Sequence, residues 1–149
     1  MKRIISIQDL SCIGKCSQSI ALPVLSVMGI ECACLPTALL SAHTAVDGFY
    51  LRELTDHFAP ITEHWKKMNL QFHAIYTGYL GSEAQVDLVE RFIDDFPSKD
   101  NLTFVDPVMA DLGKLYAGFT TAFGVRTPVR PTCTTISSTT VGLISGGYL

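Results

Sequence analysis

The sequence predicts an α/β fold built on a mostly parallel sheet with helices on both faces. Three observations lead there. Short β-branched or apolar segments alternate with helical stripes between residues 2 and 105, each such strand runs into a polar loop, and apolar residues make up 48% of the 149 positions, enough to bury a core. Strands that alternate with helices at this spacing pair through right-handed crossovers, which lay helices on both sides of a parallel sheet.

Taken in order, residues 2–8 (KRIISIQ) read as the first strand, because β-branched residues dominate and the run stops at the polar cluster 9–15. Ser17 then precedes Ile20, Ala21, Val24, Leu25 and Met28, an apolar helical face closed by Gly29 and kinked at Pro23. Residues 30–35 supply a second short strand, and 36–49 read as a turn-rich connection carrying Ser41, His43, Thr44 and Asp47. Residues 51–68 read as helical material interrupted at Pro60. A strand over 72–77 ends at Gly78, after which Ser82 and Gln85 form a capping-box pattern. Val89, Phe92, Ile93 and Phe96 give the helix that follows its apolar stripe. A last strand, 102–105, enters Asp106 and Pro107. Ligands of such sheets bind beyond the carboxyl ends of the strands, so the loops at Asp9, Thr44, Tyr79 and 106–111 are expected to meet at one edge.

Charge and composition narrow the function. The net charge is −3 and no run of Lys or Arg forms a stripe, so nucleic acid is not the expected partner and a small molecule is. No window of about 18 apolar residues is present to span a bilayer, and Met1-Lys2-Arg3 leads straight into a strand, so the protein is expected in the cytoplasm and off the membrane. Five cysteines, Cys12, Cys16, Cys32, Cys34 and Cys133, are expected as reduced loop and core thiols, since no second Cys/His pair stands at zinc-site spacing. His57, His64 and His73 read as surface or packing residues. All fourteen acidic residues lie between Asp9 and Asp111, whereas 124–149 carries none, only Arg126 and Arg130, and many Thr and Ser. A boundary is therefore expected near Phe123, with one unit over 1–123 and an atypical tail over 124–149.

The residues at the strand ends carry a signature: Ser6-Ile7-Gln8 with Gly14, Ser41-Ala42-His43-Thr44, Thr77-Gly78-Tyr79, and Asp106-Pro107-Val108-Met109-Ala110-Asp111 followed by Gly113-Lys114-Leu115-Tyr116. Together, and in this order over residues 2–123, they resemble the pyridoxal kinases of the ribokinase superfamily, in their N-terminal half. GKCS at 14–17, ALP at 21–23 and His64-Trp65 look most like the bacterial branch. Hydroxymethylpyrimidine kinases share a similar Asp-Pro-Val-Met segment, and the Gly-Lys-Leu-Tyr continuation favours pyridoxal.

The resemblance implies a ribokinase-like, here incomplete, fold and transfer of the ATP γ-phosphoryl group to the 5′-hydroxymethyl of pyridoxal, pyridoxine or pyridoxamine, with Mg²⁺ and often K⁺. It implies substrate-binding roles for Asp9, Cys16, Leu40, His43, Thr44, Tyr79 and Tyr116, and a metal and phosphate role for Asp106 and Asp111. Asp9 stands where many members have Ser, and the resemblance implies a carboxylate there able to pair with a protonated ring nitrogen. Hard carboxylate oxygens are the right ligands for Mg²⁺ in a transfer that depends on positioning and charge neutralisation. The family's general base, an Asp in a Gly-x-Gly-Asp segment, has no counterpart in this sequence, so no catalytic residue is assigned. The expectation is a chain that is inactive alone through truncation, prone to association at an open sheet edge, and a homodimer if the family assembly applies. A vitamer-binding pseudokinase and a non-functional fragment remain the alternatives.

Overall fold

The computed structural model describes residues 1–97, 102–106 and 108 in full, together with the backbone of 110–111, 114–115 and 134–135. Eleven elements follow one another: β1 (Arg3–Ser11), α1 (Gln18–Val27), β2 (Glu31–Leu40), β3 (Leu51–Glu53), α2 (Thr55–Lys67), β4 (Ala74–Thr77), α3 (Glu83–Asp95), β5 (Leu102–Val105), β6 (Ala110–Asp111), β7 (Lys114–Leu115) and β8 (Thr134–Thr135). Six strands form one sheet in the order β3-β2-β1-β4-β5-β8, and β6 and β7 make a separate two-stranded ribbon. Every pairing in the six-stranded sheet is parallel except that of β3 with β2.

Strand alternation divides the side chains between the two faces. Ile5 and Ile7 of β1, Leu35 of β2 and Ile75 of β4 face α2 and α3, whose Phe58, Val86, Val89 and Phe92 close the main core with Phe72 and Phe96. Phe92 is its centre: its ring lies 4.6 Å from that of Phe96, 5.8 Å from Phe72, 6.4 Å from Phe58 and 6.5 Å from Trp65. On the opposite face α1 packs against β1 and β2. Its first residue, buried Gln18, donates from Nε2 to the Ser6 carbonyl at 2.7 Å, fastening the helix to the sheet. Beside α1 a cavity of about 420 Å³ is floored by Ile4, Ala74, Tyr76, Leu102 and Phe104 and walled by Ile20 and Val24.

The helices-on-both-faces architecture agrees with the sequence, and several boundaries do not. β1 and β2 each run further than their apolar segments: Asp9 and Ser11 lie inside β1, and Pro36 to Leu40 lies inside β2 rather than in a turn-rich loop. Residues 51–53 are a strand and not the start of a helix, because Leu51, Arg52 and Glu53 pair with Leu40, Leu39 and Ala38. Pro60 and Pro23 sit within α2 and α1 without ending them, and both are exposed, where water can serve the carbonyl that each ring deprives of a donor. The capping box does not form: Ser82 makes no side-chain cap bond, and the Gln85 side chain is engaged elsewhere. The expected boundary near Phe123 falls outside the described residues.

Candidate functional site

β1, β2, β4 and β5 are parallel, so their carboxyl ends share one edge of the sheet. Asp9 reaches that edge inside β1 at only 5% exposure. It is stationed by an irregularity: the register slips between Gln8 and Leu10, which pair with Pro36 and Leu39. The Ser11 hydroxyl donates to Asp9 Oδ2 at 3.2 Å, satisfying part of a carboxylate taken out of water.

Leu40 ends β2 buried against Ser11, and its carbonyl accepts the Cys12 N–H at 2.9 Å. Beyond it the loop after β2 joins the loop after β1. The His43 N–H donates to the Ile13 carbonyl at 3.0 Å, and its ring lies directly over Gly14. Gly14 has φ +103°, a conformation that L side chains avoid. His43 Nδ1 accepts the Ala45 N–H at 3.3 Å, which assigns the ring proton of the neutral imidazole to Nε2. Thr44 follows, exposed, in the same loop. Half-buried Cys16 is held before α1 by its N–H bond to Ser19 Oγ at 3.2 Å, and that hydroxyl lies 3.0 Å from the Gly14 carbonyl.

Half-buried Tyr79 follows β4, where burial pushes its phenol pKa up and the carboxylates of Glu53 and Asp9 push the same way. Its neighbour Gly78 leaves no room for a side chain, since a Cβ there would fall 2.5 Å from Gln8 Oε1. Asp106 follows β5, tied by its N–H to the Thr77 carbonyl at 3.0 Å, and its charge adds to the burial that raises Tyr76. The structure thus brings Asp9, Leu40, His43, Thr44, Cys16, Tyr79 and Asp106 to one edge, where the Asp9 charge helps keep the Tyr79 phenol protonated. Asp111 is described only as a β6 backbone residue paired with Lys114, and Tyr116 lies outside the described residues.

Glu53 is a site neighbour that the sequence reading missed. Its proximity to Tyr79 arises from the antiparallel pairing of three residues with a strand more than ten positions away, which local periodicity does not encode. The four described cysteines are free, Cys12 exposed and Cys16, Cys32 and Cys34 part-buried, and burial with the neighbouring Cys34 pushes the Cys32 thiol up to about 12.

No family model matches the chain. The Arabidopsis thaliana pyridoxal kinase is 31% identical over 118 residues, 76% of this chain and 38% of that protein. A Bacteroides thetaiotaomicron protein described as a phosphomethylpyrimidine kinase, solved with pyridoxal, superposes with a TM-score of 0.77 at 47% identity, over 80% of this chain and 42% of its own. The Lactobacillus plantarum pyridoxal kinase gives 0.78 at 34% identity, over 85% and 45%. The Leishmania donovani pyridoxal kinase with ADP and pyridoxamine gives 0.69 at 25% identity, over 78% and 44%. The matched part of this chain belongs to the pyridoxal kinase family of the ribokinase superfamily.

The chain spans about two fifths of the length of the Arabidopsis pyridoxal kinase. Mg²⁺, which the resemblance implies, binds proteins through one or two carboxylates together with water and phosphate oxygens, and the half-buried carboxylate of Asp106 is of the type that would hold it. Among the described residues no three His, Cys, Asp or Glu side chains cluster as a metal site. No described helix is long and apolar enough to cross a membrane.

Proposed function

We propose that this chain forms the vitamer-binding half of a pyridoxal-type kinase. Buried Asp9 beside Tyr79 at the carboxyl edge of the sheet is the observation that carries this reading. A pyridinium nitrogen paired with the Asp9 carboxylate gains a charge-assisted bond of about 1.5–3 kcal/mol. Thr44 and His43 then meet the polar ring substituents, Cys16 and Leu40 form the pocket wall, and Tyr116 covers the ring. The ligands of the solved relatives, pyridoxal in one and ADP with pyridoxamine in another, support a B6-type heterocycle as acceptor and a nucleotide as donor.

The acceptor is the 5′-hydroxymethyl group and the donor ATP, with Mg²⁺ supplying charge neutralisation near Asp106 and Asp111. The cation sites extend to K⁺, and the assembly to a homodimer in the cytoplasm, on family grounds alone. No Gly-x-Gly-Asp segment exists in this sequence, so the chain by itself holds the vitamer without deprotonating its hydroxyl. The pyrimidine reading shares the same edge, and the relative described as a phosphomethylpyrimidine kinase keeps it in play.

Calorimetric titration with pyridoxine, pyridoxal and an aminohydroxymethylpyrimidine, with and without ATP and Mg²⁺, tests the proposal. The expected result is vitamer binding that does not require nucleotide, accompanied by no formation of phosphorylated product. Tighter binding of the pyrimidine, or no binding of any vitamer, overturns it.

A further inference from the structure

The loop that carries Tyr79 is tied down by two residues that lie outside the pocket. Thr37 of β2 and Gln85 of α3 are both 0% exposed. The Thr37 hydroxyl donates to the Tyr79 carbonyl at 2.8 Å. Gln85 Nε2 donates to the Thr37 carbonyl at 2.8 Å and to Thr55 Oγ1 at 3.0 Å, while its Oε1 accepts the Gly81 N–H at 2.8 Å. The Leu54 N–H adds a second donor to the Thr37 carbonyl at 2.9 Å. Both side chains are thereby fully engaged, and each bond joins a different element: β2, the start of α2, the start of α3 and the loop 78–82.

We propose that Thr37 and Gln85 are positioning residues which clamp the Tyr79 loop to β2 and so fix the phenol beside Asp9 and Glu53. Loops with exposed backbone and few apolar contacts open at little cost, whereas a buried, satisfied network holds one geometry. The clamp stands on contacts within the chain itself. Only its consequence for ligand affinity rests on the vitamer reading above.

Hydrogen exchange of the full chain, followed by mass spectrometry, decides the matter in Thr37→Val, Thr37→Ser and Gln85→Met. Thr37→Val keeps the volume and removes the donor, while Thr37→Ser keeps the donor and removes a methyl group. A clamp predicts exchange in 79–82 faster by about tenfold in Thr37→Val and Gln85→Met, with β1 unchanged and Thr37→Ser within about twofold of the parent. Pyridoxine affinity should follow the same ranking. Equal loosening by Val and Ser would show that Thr37 acts only through packing, and unchanged exchange in both Thr37→Val and Gln85→Met would also overturn the proposal. Should Gln85→Met not fold, the Val and Ser pair decides alone. A parent chain that binds no pyridoxine would overturn the vitamer reading, while the exchange ranking would still decide the clamp.

Discussion

Tyr79 and Glu53 meet over Gly81: a Cβ on Gly81 would lie 2.9 Å from Glu53 Oε1 and 3.4 Å from the Tyr79 hydroxyl. Burial, then Glu53, then Asp9 raise the Tyr79 pKa above its ordinary 10.0. Glu53→Gln removes one of the two charges, so Tyr79 should ionise at lower pH than in the parent, read as alkaline absorbance with Tyr79→Phe subtracted. The native state holds this proton more tightly than the unfolded chain does. Its contribution to stability is therefore complete below the ordinary tyrosine pKa and lost as pH rises through the native one, a loss that Glu53→Gln should shrink. An unchanged titration would remove Glu53 from the neighbourhood of the phenol.

Gly14→Ala places a methyl group against the His43 ring on a backbone with φ +103°. The backbone alone costs about 1–2 kcal/mol for an L residue, and His43 must move as well. Urea unfolding should show at least that loss, and pyridoxine binding should weaken along with it. A variant of parental stability would mean that the two loops do not pack as described.

Asp9→Asn removes the charge from a side chain that keeps its volume and its contact with Ser11. Pyridoxine affinity should fall about tenfold or more, the lower end of the range for a charge-assisted bond, measured by titration near neutral pH. Circular dichroism and the thermal midpoint serve as controls. Undiminished affinity in a folded Asp9→Asn variant would place the ring nitrogen elsewhere.

Phe92→Ala empties the centre of the aromatic cluster at a residue only 1% exposed. Removing a buried Phe costs about 3–5 kcal/mol, enough to unfold a marginal chain. Denaturant midpoints should report it, with Phe92→Leu recovering most of the loss. A small effect in Phe92→Ala would mean that the described core is not the one that holds the fold.

The layered architecture and β5 were legible because their signals are local. Residues 102–105 form a short strand-like run that stops at Asp106-Pro107, and α3 shows its stripe in Val89, Phe92 and Phe96. What could not be read was polar residues buried in strands. Asp9, Ser11 and Thr37 look like loop residues, yet each is satisfied by a partner that only the fold supplies. The same reason hid β3 and with it Glu53. Gln85 looked like half of a capping box, and the buried carbonyl of Thr37 offers its amide a partner that solvent-facing caps lack. Asp9, His43 and Tyr79 were legible as candidates from the strand-end motifs, since those motifs name positions along the chain. That their loops would share one edge followed from the parallel strand order, whereas the contacts between the loops did not, because they depend on how the loops of β1 and β2 interlock through His43 and Ile13.

The slip in pairing between Gln8 and Leu10 gives β2 one more residue than β1 over the same length. Past that point the two strands are out of step with their own beginnings, so spacing and not composition decides which side chains end up at the carboxyl edge of the sheet. Removing one residue between Pro36 and Leu39, Thr37 or Ala38, would regularise the ladder with Leu40 still opposite Ser11 and take away the bulge that stations Asp9.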